Sequence, residues 1–263
     1  MKINISKYFK SNKNQNVHAA EGFFVLSDDT DFNIVESYKT ARTNIMFSLP
    51  KTEDGKVILL TSSEPGEGKT TASINLAYTF SQTDAKVIIV DCDLRKPRVH
   101  RYLKIDKSIG VSNILCGFNT LDEAIQKNVK GSLDCITVGE IPINSAELLM
   151  SEEFGKLIDE LKSRYDYVFI DTPPILTVTD AQIIAPMVSG VLVVVKQGVS
   201  TYDVLDKTVE MLKTQDVKLL GFLVNSVERT SKAKYYSKKY NYFRKGYLYQ
   251  YSHEYGDKYE IES

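Results

Sequence analysis

The sequence predicts an α/β fold, a mostly parallel sheet with helices on both faces, followed by a flexible tyrosine-rich C-terminal tail. Three observations point there. Apolar runs such as "KVILLTSS", "KVIIVDCD" and "GVLVVVK" lack polar alternation, the pattern of strands buried on both faces. Helix-like stretches separate them, as crossovers separate parallel strands. After Val227 aliphatic residues almost vanish while tyrosines crowd together, so that segment cannot build a core.

In chain order, residues 1–30 are polar and aperiodic and are expected to form a flexible arm, with order starting near residue 33. Ile34, Tyr38, Ala41 and Ile45 then recur at spacings of four, three and four, which predicts a helix from Asn33 to Ser48 with Glu36, Lys39 and Arg42 beside its apolar stripe. Strand-like and helix-like runs alternate from there: "KVILLTSS", "KTTASINLAYTF", "KVIIVDCD", "NSAELLMSEEFGKLIDELKSRY", "YVFIDTPP", "DAQIIAPM", "GVLVVVK", "YDVLDKTVEMLKT" and "KLLGFLVNSV". The core domain is placed at 31–230 and the tail at 231–263.

Composition excludes several classes. A chain of 263 residues, 43% hydrophobic and 25% charged, can bury one large core. Its net charge of -1 gives no general attraction to nucleic acid or membrane. Cys92, Cys116 and Cys135 are too few and too scattered for a disulfide framework or a zinc site, and they read as small core residues in a reducing compartment. The N-terminus has no signal-peptide core, and "GVLVVV" is far short of a membrane span, so a cytoplasmic chain is expected.

The run "SSEPGEGKTT" lies between a strand and a helix, the context a phosphate-binding loop requires. Gly66 and Gly68 let backbone approach phosphates, and the helix N-terminus adds favourable dipoles. The segment Gly66, Glu67, Gly68, Lys69, Thr70 and Thr71 is therefore expected to bind ATP, with Lys69 on the β- and γ-phosphates and Thr70 on Mg2+. Ser63 stands where the usual pattern has its first glycine, so its backbone must suit a residue with a side chain. This makes the fold P-loop NTPase-like. "VIIVDCDLRKP" puts Asp91 and Asp93 at the C-terminal end of one strand and "YVFIDTPP" puts Asp171 at the end of another, the edge where open α/β sheets bind ligands. Asp171 reads as a holder of Mg2+ or its water. Asp91 and Asp93 are expected to face the same cleft; for Asp93 the alternative is a turn residue with a side-chain cap.

With these motifs the chain resembles the bacterial tyrosine kinases that work with polysaccharide chain-length regulators in capsule and exopolysaccharide export. The likeness covers about residues 31–263, including the tail with Tyr235, Tyr236, Tyr240, Tyr242, Tyr247, Tyr249, Tyr251, Tyr255 and Tyr259, nine of the sixteen tyrosines. It implies that Lys69 and Thr70 bind nucleotide and Mg2+, that Asp93 and Asp171 manage the metal, that Asp91 is the base for a tyrosine hydroxyl, and that the tail tyrosines are the phosphoacceptors. It also implies that Glu36, Lys39 and Arg42 contact a neighbour in a ring-shaped homo-oligomer; by themselves they read as ordinary i,i+3 pairing. A separate membrane-spanning regulator, a tyrosine phosphatase and a location against the inner face of the membrane are implied partners and place. No "HRD" or "DFG" of eukaryotic-type kinases occurs.

Two rivals share the loop. ATPase switches for DNA partition or division-site placement carry an early lysine in it, where this chain has Glu64, and a tyrosine tail has no purpose in them. Scaffold ATPases for metal-cluster assembly use a CxxC pair that is absent here. The tail carries seven Lys and Arg against four Asp and Glu, net +3, which makes it a weak candidate for single-stranded nucleic acid or lipid, and no nucleic acid partner is expected.

Overall fold

The computed structural model describes residues 24–51 and 54–227. The nine tail tyrosines therefore lie outside the described residues. The first of two compact units ends at Asn225; of the second, only Ser226 and Val227 are described.

The elements are α1 (Phe32–Ser48), β1 (Lys56–Ser62), α2 (Lys69–Ser81), β2 (Val87–Asp91), α3 (Val99–Leu103), α4 (Val111–Leu115), α5 (Leu121–Ala124), β3 (Gln126–Lys130), β4 (Leu133–Ile136), α6 (Ser145–Leu149), α7 (Glu152–Arg164), β5 (Tyr167–Asp171), α8 (Asp180–Ile184), β6 (Gly190–Lys196), α9 (Tyr202–Thr214) and β7 (Leu219–Asn225). The strands form one seven-stranded sheet in the order β3-β4-β2-β5-β1-β6-β7. Every pairing is parallel except β3 with β4, so the expected parallel sheet gains an antiparallel edge.

Each buried strand feeds two cores by alternation. Val57, Leu59, Ile88, Val90, Val168 and Ile170 face one core with Phe154, Leu157 and Leu161 of α7. Ile58, Leu60, Val87, Ile89, Phe169 and Val194 face the other with Ile74, Leu76 and Phe80 of α2. Burying residues of this size stabilises by about 1.5–3 kcal/mol each before entropy is counted. The Phe80 ring meets Tyr167 and Phe169 edge-on at 4.7 and 5.0 Å.

Several expectations are corrected. Residues 24–26, assigned to the arm, pack on α2: Leu26 is buried, its N–H donates to Asn75 Oδ1 at 2.7 Å, and Asn75 Nδ2 donates to the Phe24 carbonyl. The apolar residue ahead of the helix, and not the helix pattern, starts the core. The helical run 144–165 breaks at Ser151, whose hydroxyl accepts from Phe154 N–H and so begins α7 afresh. Cys92 and Cys135 are buried, but Cys116 is exposed, because it caps the short helix α4 just before the turn at Gly117. No described helix is long and apolar enough to cross a membrane.

Candidate active site

The register of the sheet assembles the site. β1 lies between β5 and β6, and Asp171 is level with Leu60 on one side and with Asp91 of β2 on the other. Three strand ends therefore deliver the loop after Ser62, the carboxylate of Asp91 and the carboxylate of Asp171 to one edge.

The loop keeps its shape through specific residues. Gly66 and Gly68 have φ of 85° and 91°, the left-handed region that favours glycine, and a Cβ at Gly68 would lie 2.0 Å from Asn225 Nδ2. Ser63 is not among the positive-φ residues; it is buried, with its hydroxyl 3.0 Å from that of Thr208. Serine is thus accommodated where glycine is usual. The first turn of α2 carries no side-chain cap and no acidic residue, which leaves its amides for an anion.

Glu67 has a different place from the one expected. Its side chain is buried, accepts from Glu64 N–H at 2.9 Å through Oε2 and from the Ser200 hydroxyl through Oε1, while Asn225 Nδ2 donates to its carbonyl at 3.0 Å. It binds the loop to the turn after β6 and to the end of β7. A cleft of about 680 Å³ is lined by Gly66, Gly68, Lys69, Thr70 and Asp93, and neither Glu67 nor Thr71 reaches it. Thr71 instead donates to the hydroxyl of Tyr102 at 3.2 Å, and Tyr102 lines the cleft.

Lys69 joins the acidic motifs. Its ammonium donates to Asp93 Oδ2 at 2.9 Å and lies 3.9 Å from Asp171 Oδ2. Burial pushes its pKa down, but Asp171 and Asp93 outweigh that and hold it raised. Asp171 accepts from the Thr70 hydroxyl and from Ser73 Oγ, both at 2.8 Å. Its pKa is raised, because burial outweighs Lys69 and these hydrogen bonds. Asp93 combines the two alternatives: Oδ2 meets Lys69 in the cleft, while Oδ1 accepts from Lys96 N–H at 3.0 Å and caps the turn.

Asp91 departs from its expected exposure. It is wholly buried, accepts from Asp93 N–H and Val99 N–H at 3.1 Å each, and does not line the cleft. As the last residue of β2, it is still held by the strand with its carboxylate turned under the chain that follows. Burial first, and then the charge of Asp171, push its pKa up to about 8.

Two carboxylates, Asp93 and Asp171, face one ammonium, a balance that suits a divalent cation. The hard oxygens of Thr70 and Asp171 are adjacent, the donor type magnesium prefers. No group of three His, Cys, Asp or Glu residues able to hold a metal occurs among the described residues, so a metal would need the Thr70 hydroxyl and ligand phosphates as well.

The sequence reading missed Ser73, which braces Asp171 one helical turn after Lys69, and the residues that wall the cleft: Arg95, Arg98, Tyr102 and Pro173. Arg95 forks onto buried Asp180, with Nε to Oδ2 and Nη2 to Oδ1 both at 3.0 Å. The density of cations in "DLRKPR" was the available signal. On α1, Lys39 pairs with Glu36 at 3.0 Å, while Arg42 Nη1 donates to the Thr79 carbonyl of α2 at 2.6 Å. Arg42 is thus engaged within its own chain.

The chain matches the family described as an AAA domain over residues 55–219. It is 36% identical to the tyrosine-protein kinase YwqD of Bacillus subtilis over 235 residues, which span 89% of this chain and 98% of that one. It is also 36% identical to the tyrosine-protein kinase Wzc of Salmonella typhimurium over 204 residues, 78% of this chain but only 28% of that longer protein. The solved kinase domain of the Escherichia coli tyrosine kinase ETK superposes with a TM-score of 0.69 at 32% identity, covering 74% of this chain and 78% of that one. The phosphate loop and its aspartates therefore sit in a P-loop ATP-binding domain, and the chain belongs to the bacterial tyrosine-protein kinases.

Proposed function

We propose that the chain transfers the γ-phosphoryl group of ATP to tyrosines of its own segment 231–263, between subunits. In that step the tyrosine oxygen forms a bond to the γ-phosphorus, the bond from that phosphorus to the bridging oxygen of ADP breaks, and the hydroxyl proton passes to a carboxylate. The observation that carries the reading is the linked set of Lys69, Asp93, Asp171 and Thr70 beside open helix amides. Phosphoryl transfer needs positioning and charge stabilisation more than covalent chemistry. Lys69 supplies a fixed cation, Gly66 and Gly68 admit the phosphates, and the α2 amides face them. The metal, which we take to be Mg2+, neutralises phosphate charge when bound, and Thr70, Asp171 and Asp93 would hold it.

We assign the proton to Asp91. Its place level with Asp171 at the strand ends supports this, and the assignment requires the stretch 92–99, which now closes over it through the N–H groups of Asp93 and Val99, to open when the acceptor enters, and the carboxyl, which burial keeps protonated at neutral pH, to ionise as it does so. Further parts of the reading come from the kinship: a ring-shaped homo-oligomer with α1 at the contact, a separate membrane-spanning regulator that activates the kinase and holds it at the inner face of the membrane, a tyrosine phosphatase that reverses the reaction, and control of capsular or exopolysaccharide synthesis and export.

The test is residue mapping. Full-length chain incubated with ATP and Mg2+ should carry phosphate on tyrosines between 235 and 259, and the Lys69→Met chain should carry none. Phosphate confined to residues outside 231–263 would refute the acceptor assignment.

A further inference from the structure

Immediately beyond Asp93 the chain builds a second concave site. Arg95, Lys96, Pro97, Arg98, His100, Arg101, Lys107 and Ile141 line a groove of about 280 Å³. Arg95 is committed to Asp180, but Lys96, Arg98, Arg101 and Lys107 make no ion pair with the described residues. These cations are brought together by local geometry: α3 ends at Lys104, whose φ of 55° turns the chain back so that Ile105 N–H bonds the His100 carbonyl. Lys107 thereby returns toward His100, where its charge is felt together with that of Arg101. The His100 Nδ1 atom is buried and has no hydrogen-bond partner among the described residues.

Four cations without an ion pair among the described residues, gathered around a small groove, are the makings of an anion site. Two features narrow the anion. First, the groove and the nucleotide cleft share Arg95, Lys96 and Arg98, so the two sites adjoin. Second, Pro97 and Ile141 give the groove an apolar side, and Ile141 is 53% exposed. A compact aryl phosphate would use both the cations and that wall. A nucleic acid would need a longer basic stripe to follow its backbone.

We propose that this groove receives a phosphotyrosine of the acceptor segment while a neighbouring tyrosine of the same segment lies in the transfer cleft. The proposal deepens the kinase reading and rests on it. Acceptors two apart, as at Tyr247, Tyr249 and Tyr251, or four apart, as at Tyr251, Tyr255 and Tyr259, would span about 7 or 13 Å in extended chain, a reach suited to adjoining sites. The first phosphate would then promote the next, and modification of the tail would be clustered.

Two measurements test it. Binding is measured with the full-length Lys69→Met chain, its nucleotide cleft filled with ADP and Mg2+, against a peptide of residues 245–255 bearing one phosphate on Tyr249. This peptide should bind at least about tenfold more tightly than its unphosphorylated form and lose at least about fivefold on the added Arg101→Gln and Lys107→Gln changes, with affinity falling as salt rises. It should also raise the titration midpoint of His100, which burial and then its cationic neighbours Lys107 and Arg101 now hold low. Equal binding of the two peptides, an unaffected double variant, or tighter binding of a short single-stranded oligonucleotide through the same residues would overturn the proposal.

The second measurement follows phosphorylation of otherwise wild-type chains by intact mass. Wild type should pass from unmodified to multiply phosphorylated chains with little singly phosphorylated intermediate. The Arg101→Gln, Lys107→Gln chain should add its first phosphate at an unchanged rate and then accumulate single and double products. Identical distributions would overturn the inference alone, whereas a wild-type chain that adds no phosphate at all would overturn the kinase reading, leaving the peptide binding to be judged separately.

Discussion

The phosphate loop and the stretch 95–107 border the same cleft yet treat their charges in opposite ways. In the loop, Lys69, Thr70 and Glu67 already have intramolecular partners in Asp93, Asp171, Ser200 and the loop backbone. Along 95–107, four of the cations that line the groove stand without an ion pair among the described residues. The loop is therefore held in shape before anything binds, which lowers the cost of reaching the transition state. The basic stretch stores unspent charge and is shaped for an anion that comes and goes.

If the loop is the preorganised half, removing its cation should have the largest effect. Lys69→Met is expected to abolish tyrosine phosphorylation, and because the ammonium is largely buried between two carboxylates, it should also cost about 1–3 kcal/mol of stability in urea unfolding. A folded Lys69→Met chain that still transferred phosphate would break the comparison.

Asp91→Asn should slow transfer by about 10²- to 10⁴-fold with ATP affinity nearly kept, the size of a lost general base. Equal loss of ATP affinity would make Asp91 a metal holder. The same variant sharpens the electrostatics. In chelator, the folded-state pKa of Asp91 near 8 lies above the ordinary value of 3.8, so its ionisation works against the fold. Stability of the wild type relative to Asp91→Asn should fall as pH rises from about 4 to about 8 and change little above that. A difference that is flat with pH, or opposite in sign, would show that the carboxylate ionises freely in the fold.

Glu67→Ala should weaken ATP binding by about tenfold while leaving the transfer step from bound ATP nearly unchanged, because it loosens the loop's anchors on Ser200 and Glu64 N–H without touching phosphate. An unaltered affinity, measured by calorimetry, would mean that the glycines alone shape the loop. The smallest effect is expected at α1. Arg42→Ala should cost about 1–2 kcal/mol of stability through loss of its bond to the Thr79 carbonyl. Light scattering on the same variant shows whether Arg42 also contributes to assembly: an unchanged mass would confine it to holding α1 on α2.

How much of this could be read from the sequence depended on how local each cause is. Strands β1, β2, β5 and β6 were legible because burial on both faces demands continuous apolar runs, and the loop was legible because only glycine suits the turns at 66 and 68. The exposed edge strand β3, "QKNVK", has no such run and was not recognised. Arg95 with Asp180 and Ser73 with Asp171 were invisible for another reason: their partners are 85 and 98 residues apart, and only the folded sheet brings them together. The burial of Asp91 was equally illegible, since the spacing of two from Asp93 does not say where the chain bends after the strand.

The central claim is that a prearranged loop on one subunit phosphorylates the tyrosine segment of another. It is tested most directly by mixing two defective chains: one ending at residue 230, with an intact site and no tail, and a full-length Lys69→Met chain, with a tail and no cation. With ATP and Mg2+, label should appear on tyrosines between 235 and 259 of the Lys69→Met chain, at a rate that rises with the concentration of the shortened partner. Absence of label in that mixture, while unaltered full-length chain labels its own tail under the same conditions, would contradict transfer between subunits.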